Sequence, residues 1–372
     1  MSVKQEAGTD RSESVADPCT CGCTSADQPA PPETGCGCTA SVPPGSPCNL
    51  SAMMQTSSRL TSADRREHLL ARLGVDRMGH RVRSGLYTLG HPGRTSPVIV
   101  TANYTLSFDA VRSALDGIDA LLLVLDTRGV NVWCAAGKGT FGTDELVHRI
   151  EATGLAGVVD HRRLILPQLG APGVSAPDVA RRSGFRVEWG PIRASDLPAY
   201  LATHTATPEM RQVRFPLLDR LVLVPIEVRS ILLMMAAGAA VLWLLAGPGT
   251  ARDLVIAMLA GTALFPVLLP YLPTRDFTTR GYLLGVLVMI PSALLDLQQG
   301  GGWLVEASRV TVDLTVFPAL TAYLALLFTG STPFTSRSGV RREIFRYIRP
   351  LVGIAAVGTV VAVALRLVTG GV

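Results

Sequence analysis

The chain has 372 residues, of which 48% are hydrophobic and only 17% charged, with a mean hydropathy of +0.34. An average soluble domain carries nearer a quarter of charged residues, so a purely soluble single-domain protein is excluded. The net charge of +5 comes from 34 Lys+Arg against 29 Asp+Glu. Nearly all the basic residues are Arg, Lys4 and Lys138 being the lysines, and many flank apolar segments, which speaks for membrane topology and against a nucleic-acid partner.

Residues 1–57 are rich in Pro, Ser, Thr, Gly and acidic side chains and carry no apolar period, so they read as a disordered arm. No apolar h-region follows Met1, and the N-terminus is expected to stay cytoplasmic with its thiols reduced. Six of the seven cysteines lie here: Cys19, Cys21, Cys23, Cys36, Cys38 and Cys48. Their spacing matches neither a ferredoxin cluster nor a zinc ribbon. Closely spaced thiolates suit soft ions such as Hg(II), Cu(I) or Zn(II), which makes Cys19, Cys21, Cys23, Cys36 and Cys38 candidate metal ligands; a low-complexity tail without metal is the alternative.

Residues 58–226 change to short β-branched runs alternating with amphipathic segments, the pattern of a parallel α/β sheet. Strands are expected at 97–103, 120–127, 157–161, 162–167 and 186–190. Helices are expected at 107–115, at 144–154 behind a Thr143 cap, and at 177–184.

Residues 227–372 contain five apolar stretches, at 231–247, 254–272, 281–295, 310–328 and 351–367, each close to bilayer length. The third is short and leans on the Gln298-Gln299-Gly300 tract. Arg337, Arg341, Arg342, Arg346 and Arg349 precede the fifth stretch, and Arg275 and Arg280 precede the third. By the positive-inside rule those loops face the cytoplasm, giving a multi-pass protein of the cytoplasmic (inner) membrane with an inside N-terminus and an outside C-terminus. Asp313 and Arg366 fall within apolar stretches near their outward ends, and no second intramembrane charge offers itself as a partner. An anchoring bundle is therefore preferred to a transport channel.

The chemistry is concentrated just beyond the second strand, in the run from Asn131 to Thr143, NVWCAAGKGTFGT. In an open α/β sheet, ligands bind beyond the carboxyl ends of the strands. Cys134 and Lys138, the one cysteine and one lysine of residues 58–226, stand here four positions apart. A P-loop is ruled out by the glycine spacing and by Gly139 following Lys138, where a magnesium-binding Ser or Thr belongs. A buried small hydrophobe is one reading of Cys134; a nucleophile is another, with His148 or His161 as base, though their spacing fixes no dyad.

The run NVWCAAGKGTFGTDEL resembles the cap-helix signature of the mercury-methylating corrinoid proteins, the HgcA family. Those proteins join a Rossmann-like corrinoid-binding domain to about five transmembrane helices, and the resemblance covers roughly residues 80–372. The domain is also similar to the corrinoid-binding part of the corrinoid iron-sulfur proteins of the acetyl-CoA pathway, which lack the bundle. The resemblance implies a cobalamin-type cofactor with Cys134 as the lower axial ligand of cobalt. It further implies that Asn131, Val132, Trp133, Ala135, Ala136, Gly137 and Lys138 complete the cap helix, its small residues admitting the ring, and that Thr101 is a corrinoid contact. The implied activity is a methyltransferase that passes a methyl group from methyl-Co(III) to Hg(II), forming methylmercury. Implied partners are a methyl-folate-dependent donor system and a two-cluster ferredoxin-like electron donor. The Cys-rich arm departs from the family pattern. A membrane-anchored soft-metal binding protein, or a corrinoid methyl carrier with another acceptor, are the competing functions.

Overall fold

The computed structural model describes residues 53–76, 78–331 and 337–369. The arm cysteines, Cys19, Cys21, Cys23, Cys36, Cys38 and Cys48, lie outside the described residues.

The α/β part contains strands β1 (Met54–Thr56), β2 (Gly85–Leu89), β3 (Val98–Ala102), β4 (Ala120–Leu125), β5 (Arg163–Leu166) and β6 (Arg186–Trp189). Its helices are α1 (Ser62–Arg72), α2 (Thr105–Ala114), α3 (Val132–Lys138), α4 (Thr143–Ala152), α5 (Leu155–Val158), α6 (Ala176–Ser183) and α7 (Leu197–Thr203). The strands form one six-stranded sheet in the order β1-β2-β4-β3-β5-β6. The sheet is mixed: β2 runs antiparallel to β4, while the remaining pairings are parallel. An all-parallel sheet was expected, and the difference has a simple cause, because an apolar pattern encodes which face of a strand is buried and not which way the strand runs.

Alternation along the central strands assigns the two faces. Leu121, Leu123 and Leu125 join Val98 and Val100 under α4, whereas Ala120, Leu122 and Val124 join Ile99 under α2 and α7. With helices on both faces no position of β4 meets water, which is why ALLLVL reads as an unbroken apolar run. Phe141, Phe185 and Leu146 are fully buried on the first face, each side chain contributing about 1.5–3 kcal/mol of burial.

Three local expectations change. Residues 157–161 are not a strand; Val158 ends α5 and Val159 is buried beyond it, two adjacent valines being too few to separate a strand from a buried turn. Thr143 is the first residue of α4 and not its cap: Gly142 is the cap, and the Thr143 hydroxyl accepts the Ser175 N–H at 2.8 Å. The edge strand β1, its neighbour β2 and the helices α1 and α7 were not foreseen.

Beyond residue 216, five helices are long and apolar enough to cross a membrane: Leu217–Ala246, Pro248–Leu268, Phe277–Asp296, Trp303–Leu327 and Ser338–Val368. The third reaches 20 residues by starting earlier, at Phe277, without using the glutamine tract. Gly281 and Gly285 bring it against the fourth helix, where an added Cβ would lie 2.4 Å from Ala325 Cβ and 2.6 Å from Pro318 Cα. Two segments are wound as π-helix, Ala260–Leu264 and Val312–Val316. Outward-facing Leu233, Leu244, Leu245 and Leu367 leave the first and fifth helices with apolar surfaces suited to lipid.

Candidate functional site

Asn103, one residue past β3, is buried and organises the loop that follows β4. Its Oδ1 accepts the N–H of Thr127 at 3.1 Å and of Gly129 at 3.0 Å, and its Nδ2 donates to Asp126 at 2.9 Å. The Thr127 hydroxyl sits between Asn103 Oδ1 at 2.9 Å and the Val130 carbonyl at 2.6 Å. On the other side Glu145 of α4 accepts the Asp126 N–H at 2.8 Å. A loop that would otherwise bury unpaired amides is thereby fixed in one conformation.

That loop delivers Asn131, whose Oδ1 accepts the Cys134 N–H at 2.9 Å and caps α3. The helix lasts seven residues and closes at Gly139, with Lys138 exposed in its last turn, where a cation complements the helix dipole. Ala135 and Ala136 point into the core, and Gly173 lies against the backbone of Ala136. A Cβ at Gly173 would stand 2.2 Å from the Phe141 carbonyl oxygen and 3.0 Å from Ala136 Cα.

Beside α3 opens a cavity of about 270 Å³, half open to the outside. Its floor is β3 and β5 (Ile99, Thr101, Leu166), and its walls are α2, the start of α3 and the segment after β6. Here the connections out of β3 and into β5 run to opposite sides of the sheet, so the cavity lies at the topological switch point, where open α/β sheets bind ligands. The lining is mostly apolar, with Thr101, Ser107 and Asn131 as its polar side chains. Such a surface suits a large, flat, largely apolar group oriented by a few polar contacts.

Of the expected site residues, the structure brings Thr101, Asn131, Val132 and Trp133 together in the cavity lining. Cys134 is half-buried on the same helix, and Gly137 and Lys138 follow toward solvent. Ala135 and Ala136 are turned to the core and are not among the residues lining the cavity. No Cys–His dyad forms among the described residues: His161 hydrogen-bonds the Ser96 carbonyl at 2.9 Å, at the amino end of the strands, and His148 is exposed on α4.

Sequence reasoning did not find Asn103, Gly173 or the cavity wall of Gly190, Pro191 and Ile192. It also missed what holds α2. Ser107, Ala110 and Val111 of that helix face the cavity, while Arg112 on its far side is buried. The Arg112 guanidinium donates to Asp109 at 2.6 Å, Asp64 at 2.8 Å and the Ser57 carbonyl at 2.7 Å, and His68 meets Asp109 at 2.6 Å. Burial pulls the Arg112 pKa down, but the hydrogen bonds and charges of Asp109 and Asp64 outweigh it and hold it above its ordinary value. Burial likewise pushes the Asp64 carboxyl up, and the Thr61 N–H together with Arg112 brings it below the usual value. The only hint in the sequence was the T-x-x-D spacing of Thr61 and Asp64, which forms a capping box on α1.

Comparison with known proteins points to the same part of the chain. Residues 75–201 match the family model described as the CO dehydrogenase/acetyl-CoA synthase delta subunit. The gamma subunit of the acetyl-CoA decarbonylase/synthase complex of Methanopyrus kandleri is 37% identical over 122 residues, covering 32% of this chain and 26% of that protein. Gamma subunits from Methanocaldococcus jannaschii and Archaeoglobus fulgidus are 34% identical over 122 residues and 32% identical over 123, covering 32% of this chain in each case and 25% and 26% of those proteins. The α/β domain is related to acetyl-CoA decarbonylase/synthase subunits. The chain spans about a quarter of the length of the curated relatives it matches.

Proposed function

We propose that the α/β domain holds a corrinoid at the carboxyl ends of β3 and β5, and that the chain is a corrinoid-dependent methyltransferase acting on Hg(II) as its substrate. The observation that carries the reading is the position of α3: a seven-residue helix capped by Asn131, whose first residues, Val132 and Trp133, line the apolar cavity at the switch point of the sheet and are followed directly by the half-buried Cys134. The relatedness of residues 75–201 to acetyl-CoA decarbonylase/synthase subunits supports a group of this kind, and NVWCAAGK supports the acceptor.

The residues present fit the group. Thr101, Val132 and Trp133 provide a broad, mostly apolar wall with a hydroxyl at its floor, and the open mouth admits a ligand larger than the cavity itself. Cys134 supplies a soft sulfur donor. When bound, the corrinoid supplies a cobalt centre that carries a methyl group. The chain's own part is to position and to tune. Asn131 and Asn103 fix the start of α3, so the backbone that carries Cys134 is ordered before binding. Cys134 would hold the cobalt through its sulfur, a soft donor that would enrich the metal's electron density. The five helices long and apolar enough to cross a membrane support a membrane protein, and the arginine distribution supports a cytoplasmic side for the α/β domain.

A second reading, a corrinoid methyl carrier with a different acceptor, is favoured by the similarity to acetyl-CoA decarbonylase/synthase subunits. One experiment addresses both. The full-length protein is purified anaerobically from membranes, reconstituted with a cobalamin, and compared with Cys134→Ala for cobalt content and visible spectrum. Stoichiometric cobalt in the wild type, with a spectrum that changes in the variant, is the expected result; no cobalt retained by the wild type refutes the reading. Methylated wild-type protein is then mixed with Hg(II). Formation of methylmercury supports the first reading, and methyl release to other acceptors but not to Hg(II) supports the second.

A further inference from the structure

The membrane bundle contains a group of side chains that the methyl-transfer reading does not use. Asp253 of the second apolar helix, Asp296 at the end of the third and Asp313 in the fourth each offer a carboxylate oxygen, and these oxygens all lie within 4.8 Å of one another. All three residues are buried, at 1%, 6% and 2% exposure. Asp253 Oδ1 accepts the Ser292 hydroxyl at 2.7 Å and the Arg252 guanidinium at 2.9 Å. Asp296 accepts only an amide, Gln299 Nε2 at 3.1 Å, and Arg309 donates to the Gln299 side chain rather than to a carboxylate. Asp313 Oδ2 is fully enclosed and has no hydrogen-bond partner among the described residues. Expecting no second intramembrane charge near Asp313 was therefore wrong. Its partners come from other helices, 60 and 17 positions away in the chain.

Two further features converge on the same place. Asp313 sits in the π-helical turn Val312–Val316, a distortion frequent at functional positions in helices. A cavity of about 270 Å³ borders the cluster, with Asp296, Asp313, Ser308, Thr250, Arg309 and Arg366 as the polar residues that bear on it.

We propose that Asp253, Asp296 and Asp313 form a binding site for a hard divalent cation, with Ser292 and water from the adjoining cavity completing its oxygen shell. The geometry fits: oxygens bound to one Ca²⁺ at 2.3–2.6 Å are at most about 5 Å apart, and carboxylates are the ligands such ions prefer. Of the three aspartates, only Asp253 is hydrogen-bonded by a guanidinium among the described residues, that of Arg252, while Arg309 and Arg366 line the adjoining cavity without an ion pair to Asp296 or Asp313. A soft ion such as Hg(II) is disfavoured by an all-oxygen donor set, so this site is distinct from the thiol chemistry of Cys134. The ends of the second, third and fourth helices that carry the cluster adjoin the connections around residues 247 and 297–302, which the arginine distribution places on the outer side. The site is thus reached from the compartment opposite the α/β domain, and the bundle responds to external divalent cation. This holds whether or not the α/β domain binds a corrinoid.

The test uses the full-length protein in lipid nanodiscs, stripped with a chelator and titrated with Ca²⁺, then with Mg²⁺, at constant NaCl, with binding heat and the thermal midpoint as readouts. One saturable site with Kd tighter than about 10⁻³ M is expected. Asp313→Asn, which keeps the side-chain size, is expected to weaken binding by about tenfold or more. Should that variant fail to fold, the wild-type titration decides together with infrared spectroscopy. No saturable binding, or saturation by Na⁺ alone, overturns the proposal. So does a protonated-carboxyl band that persists at saturating Ca²⁺ and Mg²⁺, since the cluster then holds a proton in place of a metal.

Discussion

In the α/β domain the buried guanidinium of Arg112 meets Asp109, Asp64 and two backbone carbonyls, and His68 occupies the other oxygen of Asp109. In the membrane bundle one of three buried aspartates, Asp253, meets a guanidinium, and one oxygen of Asp313 has no hydrogen-bond partner among the described residues. The first cluster is complete within the chain. It ties α1 and the end of β1 to the back of α2, and so braces the cavity wall on the other side of that helix. The second cluster is incomplete within the chain. The contrast teaches that a buried charge by itself says little: whether its polar atoms are all satisfied separates a structural brace from a place where something binds.

Three measurements sharpen or break the contrast. The largest effect is expected for Arg112→Ala, which strands Asp109 in the core without a guanidinium and costs about 3–5 kcal/mol. A large drop in the unfolding midpoint of the full-length protein in detergent checks it, and an unchanged midpoint shows that the cluster is not a brace. Next comes Asn103→Ala, which leaves the Thr127 and Gly129 amides without their acceptor. A loss of roughly 2–3 kcal/mol is expected, with weaker cobalamin retention because α3 loses its fixed entry, and equilibrium dialysis of the variant measures the latter. Smallest is an acid effect. The Asp64 carboxyl is held below its ordinary pKa in the folded chain, so the unfolded chain takes up its proton first as pH falls. The stabilisation is complete above about pH 4 and is lost as pH falls further through the lowered folded value. Thermal unfolding at pH 5 and pH 3 is expected to show a smaller drop in Asp64→Asn than in the wild type.

Legibility in the sequence followed the range of the interactions. The runs VIVTA and ALLLVL declared themselves as buried strands because both of their faces are covered, and five long apolar stretches declared themselves because a bilayer sets their length. The short strands β1 and β2 did not, since three to five residues of mixed character carry too little pattern. In the candidate site, Cys134 and its neighbours stood out as a local run, and four of the residues named there or at the end of β3 do meet at the cavity. Asn103 did not stand out, because an asparagine after a strand looks like any turn residue until its partners 24 and 26 positions later are known. Ala135 and Ala136 were legible as small but not as inward-facing.

By itself the sequence determined what depends on composition and on neighbours: the change from a polar arm to an α/β pattern to apolar helices, the central strands, and the NVWCAAGK run with its one thiol. Only the tertiary structure decided the antiparallel direction of β2, the inward turn of the alanines, the seating of Arg112 and the meeting of Asp253, Asp296 and Asp313. The reason is physical. Hydrophobic period and helix capping act over a few residues, whereas strand direction and the pairing or isolation of a buried charge are settled by groups brought together from distant parts of the chain.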